Sequence, residues 1–320
     1  MDNTNPIPVT ILTGFLGAGK TTLLKRILDD PQGVRFGVLI NDFGAVNIDA
    51  ELVVEASGDQ VALANGCVCC TIRDDLVGAV DALLTRDPPP ERIIIEASGV
   101  SRPLPIADAL EVPQLEGRTA LDGIFCLVDG AGFGDLDYAA TELAIDQAVG
   151  ADLVLLNKTD LADEPALAAI EETLKGALPR LRLLRTREAE VSRDVLLGTD
   201  FARTREQRAH GCIDHAHHAH DHGTEFEAWH WQDTRLVDTA LLRRALKHLP
   251  AAVMRAKGVF AAGDGRLVFQ QVGRRSRLTH EDGRPPQSSA LVVIARTGEL
   301  DRAALTETLA GCLVPSRIRR

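Results

Sequence analysis

Gly14-Phe15-Leu16-Gly17-Ala18-Gly19-Lys20-Thr21 is the most informative motif for the fold of this 320-residue chain. It fits the pattern G-x-x-x-x-G-K-[ST], and it stands between an apolar, β-branched run (Pro8–Leu12) and a stretch with helical spacing (Thr21–Leu28). A glycine-rich loop that joins a strand to a helix is the context in which this pattern binds phosphate. The pattern predicts a phosphate loop, because its glycines let backbone N–H groups turn towards phosphate oxygens and the helix adds a positive N-terminal end.

The residue types of this loop also predict what individual side chains do. Lys20 is expected to place a positive charge on the β and γ phosphates, and the Thr21 hydroxyl is expected to bind Mg²⁺. The rest of the predicted nucleotide cradle consists of Gly14, Gly17, Ala18, Gly19 and Thr22.

Short apolar runs recur through the first half of the sequence and alternate with helical stretches. Uninterrupted apolar strands are buried on both faces, and their alternation with helices is typical of a parallel sheet. The sequence therefore predicts an α/β fold, with a P-loop NTPase domain built on a mostly parallel sheet. After the first strand, the candidate strands are Phe36–Ile40, Arg92–Ile95, Gly123–Val128, Leu153–Leu156 and Leu181–Leu184.

The composition changes near residue 200. The stretch 201–224 has little apolar content and holds most of the histidines, so we interpret it as a linker between a domain at 1–200 and a smaller α+β domain at 225–320. In the second domain, Phe226–Trp231 alternates like a strand with one open face, and Thr234–Leu249 has helical spacing. Asp301 is expected to cap a closing helix.

Charge and hydropathy argue against two classes of partner. The formal net charge is −11, from 46 acidic and 35 basic residues, whereas nucleic-acid binding needs clustered Lys and Arg. No apolar run approaches the ~18 residues that a membrane-spanning helix requires. The N-terminal residues lack the basic start and apolar core of a signal peptide, so a cytoplasmic protein is expected.

Asn157-Lys158-Thr159-Asp160 directly follows a predicted strand and resembles the N-K-x-D guanine motif of GTPases. The Asp160 carboxylate can accept two parallel N–H groups from guanine, a pair that adenine does not offer. Asn157 is expected to brace the loop, and the stem of Lys158 is expected to cover the face of the base. The position of this motif at the carboxyl end of a strand is where open α/β sheets bind ligands.

The segment Glu96-Ala97-Ser98-Gly99 ends another apolar strand with an acid. That is the usual position of an acid that orients Mg²⁺ or its waters, and Gly99 has a backbone N–H that is able to sense the γ phosphate. Asp42, which follows the second strand, is a further candidate acid near the metal.

Gly66-Cys67-Val68-Cys69-Cys70 places three thiols within four residues. Zn²⁺ is well suited to thiolate ligands, and three of them leave the fourth tetrahedral position open for transfer of the ion. Buried structural cysteines and a redox pair are the alternatives. Because the cluster lies in sequence between Asp42 and Glu96, its geometry is expected to follow the state of the nucleotide.

Five histidines fall within the eight residues 215–222, in the predicted linker. Tracts rich in histidine are typical of metal binding, so His215, His217, His218, His220 and His222 are a candidate accessory metal site of low selectivity. A polar linker with incidental histidines is the alternative.

Together these motifs, in this order, resemble the CobW-like family of P-loop GTPases, a metallochaperone group related to the nickel-insertion GTPases. Met254-Arg255-Ala256-Lys257-Gly258 is similar to a strand of that family's C-terminal domain. The family's N-E-F-G-E segment is Asn41-Asp42-Phe43-Gly44-Ala45 here, so the second acid is absent from this chain.

The resemblance implies slow GTP hydrolysis that depends on Lys20 and Glu96, and a zinc or related divalent ion at Cys67, Cys69 and Cys70. The expected ligands are GTP or GDP, Mg²⁺ and Zn²⁺ (Co²⁺ being another possible ion), and the expected partner is a metalloprotein client that the sequence does not identify. Two alternatives remain open from the sequence: a metal-storage protein with a vestigial nucleotide site, and an activator that inserts cobalt or iron into one client enzyme.

Overall fold

The structure, a computed structural model, describes residues 6–40, 60–62, 71–178, 180–198, 226–263, 265–282 and 284–314. The chain divides into two compact units, Met1–Val191 and Ser192–Arg320, and each has its own apolar core. The predicted linker, 201–224, lies outside the described residues. None of the helices in the described part of the chain is long and apolar enough to cross a bilayer.

In the described part of the first unit, seven parallel strands form one sheet in the order β3-β2-β4-β1-β5-β6-β7. The predicted α/β fold with a parallel sheet is confirmed. Val9, Ile11 and Leu12 of the central strand are fully buried, because helices cover both faces of a parallel sheet. The strands are β1 (Ile7–Gly14), β2 (Phe36–Ile40), β3 (Gln60–Ala62), β4 (Arg92–Glu96), β5 (Thr119–Asp129), β6 (Leu153–Asn157) and β7 (Leu183–Arg185).

The helices of this unit begin where the sequence supplies a start signal. The Asp137 and Asp163 side chains accept hydrogen bonds from the backbone N–H groups of Ala140 and Ala166, and so cap two helices. The first helix begins at Lys20, after a glycine in the left-handed conformation. The helices are α1 (Lys20–Asp29), α2 (Thr71–Leu84), α3 (Pro103–Ala109), α4 (Tyr138–Gly150) and α5 (Glu164–Ala177).

The second unit contains an antiparallel sheet, which in the described residues has five strands in the order β11-β10-β9-β12-β8. Asp238 and Asp301 cap its two longer helices, as expected for Asp301. The predicted second domain with helices and strands is confirmed. Its elements are α6 (Arg193–Leu197), β8 (Phe226–Asp233), α7 (Thr239–Lys247), β9 (Val253–Ala262), β10 (Gly265–Val272), β11 (Arg275–Asp282), β12 (Ser289–Arg296) and α8 (Arg302–Ala310).

A buried arginine joins α6 to the sheet of the second unit. Arg255, on β9, is 1% exposed, and its guanidinium donates to the carbonyl oxygens of Val195 at 3.2 Å and Leu196 at 2.7 Å. The last carbonyl groups of a helix lack partners within the helix, so this side chain caps α6 at its carboxyl end. Gly198 leaves room for it, because a Cβ there would stand 2.5 Å from Arg255 Nε.

Candidate nucleotide-binding site

Two glycines of the phosphate loop are required by close contacts as well as by their backbone angles. Gly14 has φ +135°, and a Cβ there would stand 2.1 Å from the carbonyl oxygen of Leu127 on β5. Gly19 has φ +105°, and its Cβ would stand 2.5 Å from Asn157 Nδ2 on β6. The loop therefore packs closely against the carboxyl ends of β5 and β6. A side chain at either glycine would displace the loop from these strands.

Lys20 is almost fully buried, at 8% exposure, and its ammonium group lies within the phosphate loop. Nζ donates to the carbonyl oxygens of Gly14 at 2.9 Å and of Phe15 at 3.2 Å. These bonds satisfy the buried charge and hold it on the inner side of the loop. The arrangement provides a fixed positive charge for an anionic ligand.

A cavity of about 250 Å³ opens in front of this loop. Its walls are the phosphate loop with the first turn of α1, Ile40 at the end of β2, and the segment Glu96–Gly99 that follows β4. The cavity thus lies at the carboxyl ends of parallel strands, where ligands bind in sheets of this type. It brings Lys20 and Thr21 of the phosphate loop together with Glu96 and Gly99, which come from a separate motif of the sequence.

A hydroxyl and a carboxylate meet in the wall of the cavity. Thr21 Oγ1 donates to Glu96 Oε1 at 2.7 Å, and Glu96 is only 4% exposed. Thr21 is placed by the first turn of α1, and Glu96 by the last position of β4. Magnesium prefers hard oxygen ligands such as these and keeps several waters, so the residues present fit a Mg²⁺ ion.

Asn157 connects the predicted base-reading loop to the phosphate loop. It is 2% exposed, and its Nδ2 donates to the carbonyl oxygen of Ala18 at 2.9 Å. Its Oδ1 accepts from Thr186 Oγ1 at 3.1 Å and from the backbone N–H of Ala189 at 2.7 Å. One buried amide therefore fixes the phosphate loop relative to the segment after β7.

Lys158 and Asp160 occupy the rim of the same region. Lys158 adopts a left-handed backbone with φ +59°, and its Nζ forms an ion pair with Asp129 Oδ2 at 2.7 Å. Asp129 is held in turn by the backbone N–H groups of Ala131 and Gly132. Asp160 is exposed at the end of the loop.

Two residues at this site, Asp129 and Gln147, were not predicted from the sequence. Asp129 ends the apolar run of β5, and an acid at the carboxyl end of a predicted strand was a usable signal. Gln147 is fully buried on α4 and donates to the carbonyl oxygens of Gly99 and Ser101, both at 3.0 Å. No local pattern distinguishes this glutamine from those on a helix surface.

The other predicted metal ligands cannot be placed in the same way. Asp42, the cysteines at 67, 69 and 70 and the histidines of 215–222 lie outside the described residues. Among the described cysteines, Cys126 is fully buried on β5, and its burial raises the pKa of the thiol to about 12. Cys312 is buried too, and desolvation raises the pKa of its thiol above the ordinary value.

The fold and the cavity define a P-loop nucleotide-binding protein. Residues 8–185 match the model of the family described as CobW/HypB/UreG, nucleotide-binding domain, and residues 226–313 match the cobalamin synthesis protein cobW C-terminal domain. The chain therefore belongs to the CobW/HypB/UreG family.

Known proteins resemble the chain over nearly its whole length. It is 33% identical to a protein named zinc chaperone CobW from Sinorhizobium sp, with 95% of this chain and 96% of that one covered. It is 35% identical to a protein of the same name from Pseudomonas aeruginosa, with 95% and 90% covered. A crystal structure of Zn(II)-bound YjiA GTPase from E. coli is similar with a TM-score of 0.45 and 24% identity, over 97% of this chain and 100% of that one.

Proposed function

We propose that this protein is a GTP-hydrolysing metallochaperone that binds a divalent metal, zinc in the first place, and transfers it to client proteins. Its substrates are GTP, water and the metal ion that it carries. The observation that carries the GTPase part is the contact between Thr21 Oγ1 and Glu96 Oε1 beside Lys20, in a cavity at the carboxyl ends of the strands. The names of the similar proteins support zinc as the metal.

The residues of the cavity support phosphoryl transfer to water. The ammonium group of Lys20 and the N-terminal end of α1 stabilise negative charge on the β and γ phosphates. Thr21 and Glu96 hold Mg²⁺ or its waters, and the ion supplies further positive charge to the phosphates when it is bound. Gly99 lines the cavity, and we expect its backbone N–H to contact a γ phosphate and to lose that contact on hydrolysis.

The base-reading loop supports guanine rather than adenine. Asp160 presents two acceptor oxygens, which match the parallel N–H donors on guanine. Lys158 covers the base with its apolar stem, and Asp129 fixes the position of its ammonium group. Asn157 sets the distance between this loop and the phosphate loop through its bond to Ala18.

Metal binding is assigned to Cys67, Cys69 and Cys70, whose thiolates suit zinc and leave one coordination position open. We infer that zinc and GTP are coupled, because the cysteines fall in sequence between two segments that adjoin the cavity, the end of β2 at Ile40 and the strand that carries Glu96. Coupling of this kind is reciprocal. If bound GTP changes the affinity for zinc by a certain factor, bound zinc changes the affinity for GTP by the same factor.

Measurement of GTP turnover and bound metal tests this proposal. We expect the purified protein to hydrolyse GTP in the presence of Mg²⁺ and Lys20→Ala to abolish turnover. The double variant Cys69→Ala, Cys70→Ala is expected to lose tight zinc and to keep nucleotide binding. Absence of turnover in a protein that still binds zinc would contradict the GTPase.

A metal-storage protein with a vestigial nucleotide site is the second candidate, and the five histidines within 215–222 favour it. It predicts several metal ions per chain and no GTP turnover. The same measurement separates the two functions, because only the metallochaperone loses activity in Lys20→Ala.

A further inference from the structure

A buried glutamine on α4 holds the segment that faces the cavity. Gln147 is 0% exposed, and its Nε2 donates to the carbonyl oxygens of Gly99 and Ser101, each at 3.0 Å. Because both contacts are acceptors, the amide nitrogen must face the segment and the amide oxygen must face away. The side chain therefore forms hydrogen bonds to the backbone on both sides of Val100.

The backbone that Gln147 binds forms a turn, and the geometry of this turn determines the direction of the Gly99 N–H group. The carbonyl oxygen of Ser98 accepts from the N–H of Ser101 at 3.0 Å, which closes the turn. A trans peptide directs its N–H opposite to its C=O, so the N–H of Gly99 points out of the turn. Gly99 lines the cavity in front of the phosphate loop.

This turn also touches the phosphate loop directly. A Cβ at Gly99 would stand 2.4 Å from Leu16 Cδ2 and 2.9 Å from Leu16 N, so the two backbones are as close as a glycine permits. Rotation of the turn by a small angle would change the direction of the Gly99 N–H. A clamp on its two carbonyl groups prevents that rotation.

Packing alone does not account for an amide at position 147. Its Oε1 is buried and has no hydrogen-bond partner among the described residues. Burial of such an oxygen is unfavourable, and a methionine would fill similar space without that penalty. The two donated hydrogen bonds are what the amide adds.

We propose that Gln147 is a positioning residue that aims the Gly99 N–H at the terminal phosphate of a nucleoside triphosphate. It acts through the turn and does not touch the nucleotide. Because GDP lacks that phosphate, the clamp discriminates between the triphosphate and diphosphate states. This inference rests on the proposed function and adds to it a residue that sets the preference for GTP over GDP.

Binding of GDP and of a non-hydrolysable GTP analogue to the wild type and to Gln147→Met tests the proposal. We expect Gln147→Met to weaken binding of the analogue about tenfold and to leave GDP affinity within about twofold. Gln271→Met is the matched control, since Gln271 is also buried and donates to a backbone carbonyl, that of Gly273, at 3.3 Å. It is expected to change neither affinity.

Equal losses for both nucleotides, or no loss for either, would overturn the role of Gln147. If Gln147→Met does not fold, Gln147→Asn replaces it, because the shorter amide cannot reach both carbonyl groups. An unchanged ratio of the affinities for GDP and for the GTP analogue in that variant would also overturn the role of Gln147. The proposed function is judged separately, by whether the wild type hydrolyses GTP and Lys20→Ala does not.

Discussion

Gly19 and Asn157 are so close that a Cβ on the glycine would stand 2.5 Å from the amide nitrogen of the asparagine. The two residues come from motifs that are far apart in the sequence, the phosphate loop and the predicted base-reading loop. Their contact places the two motifs at a fixed separation, as binding of one nucleotide by both requires.

Asn157→Ala removes the amide that joins the two loops. We expect the free energy of unfolding of the first unit to fall by about 2 kcal/mol or more, because the Ala18 carbonyl and the Ala189 N–H lose a buried partner. Affinity for GDP should fall as well. Urea unfolding and a GDP titration check both effects, with Gln232→Ala, an exposed amide bonded to Ser288, as the control.

Asp160→Asn changes the hydrogen-bonding pattern that the protein offers to the base. The new amide donates where the carboxylate accepted, so we expect GDP affinity to fall at least about tenfold and affinity for xanthosine diphosphate to rise. Titrations with both nucleotides measure the change. Glu172→Gln removes an exposed carboxylate elsewhere and should have no effect; a parallel loss in both variants would count against base reading by Asp160.

Gly99→Ala inserts a methyl group between the turn and the phosphate loop. Since the new carbon would lie 2.4 Å from Leu16 Cδ2 and 2.9 Å from Leu16 N, one backbone must move, and we expect GTP hydrolysis to fall at least about tenfold. The control is Gly78→Ala, where the added carbon meets nothing within 4 Å. That change lies inside α2 and should raise stability by up to about 1 kcal/mol. Equal activity in the two variants would mean that the close approach at Gly99 is unimportant.

Cys126 gives stability a predictable dependence on pH at alkaline values. Burial raises the pKa of its thiol to about 12, whereas a cysteine thiol in the unfolded chain has a pKa of about 8.5. Between these two pKa values the folded state keeps a proton that the unfolded state has lost. The thiol's contribution to the free energy of unfolding is therefore complete below the lower pKa and decreases as the pH rises towards the upper one. Cys126→Ala should make the free energy of unfolding less dependent on pH in this range, and urea unfolding from pH 8 to pH 10 measures the difference. Identical slopes for the two proteins would exclude the effect.

The elements that sequence analysis predicted well are those with strong local signals. The phosphate loop between β1 and α1 carries its own glycines and flanking apolar run, and β2, β4 and β6 are continuous apolar runs bounded by polar residues. The ends of some elements were predicted less accurately: Leu181–Leu184 was predicted as a strand, and the strand found is Leu183–Arg185. The helix predicted at Thr234–Leu249 is shorter, at Thr239–Lys247, because Asp238 caps it.

Some features could not be read from the sequence because they depend on tertiary contacts. β11 (Arg275–Asp282) is almost entirely polar and forms because its backbone pairs with β10 in an antiparallel ladder. The clamp by Gln147 exists only because α4 packs beside the turn at Gly99. The ion pair between Lys158 and Asp129 likewise joins the ends of β5 and β6, which lie side by side in the sheet, although the two residues are 29 positions apart in the sequence.

Zinc affinity, measured in the two nucleotide states, shows whether the metal site and the nucleotide site are coupled. The experiment titrates zinc against a competing chelator in protein saturated with GDP and in protein saturated with a non-hydrolysable GTP analogue, with the Cys69→Ala, Cys70→Ala variant as control. We expect different zinc dissociation constants in the two states of the wild type and the loss of tight binding in the variant. Equal constants in both states, or tight zinc binding retained by the variant, would rule out a nucleotide-controlled zinc site at these cysteines.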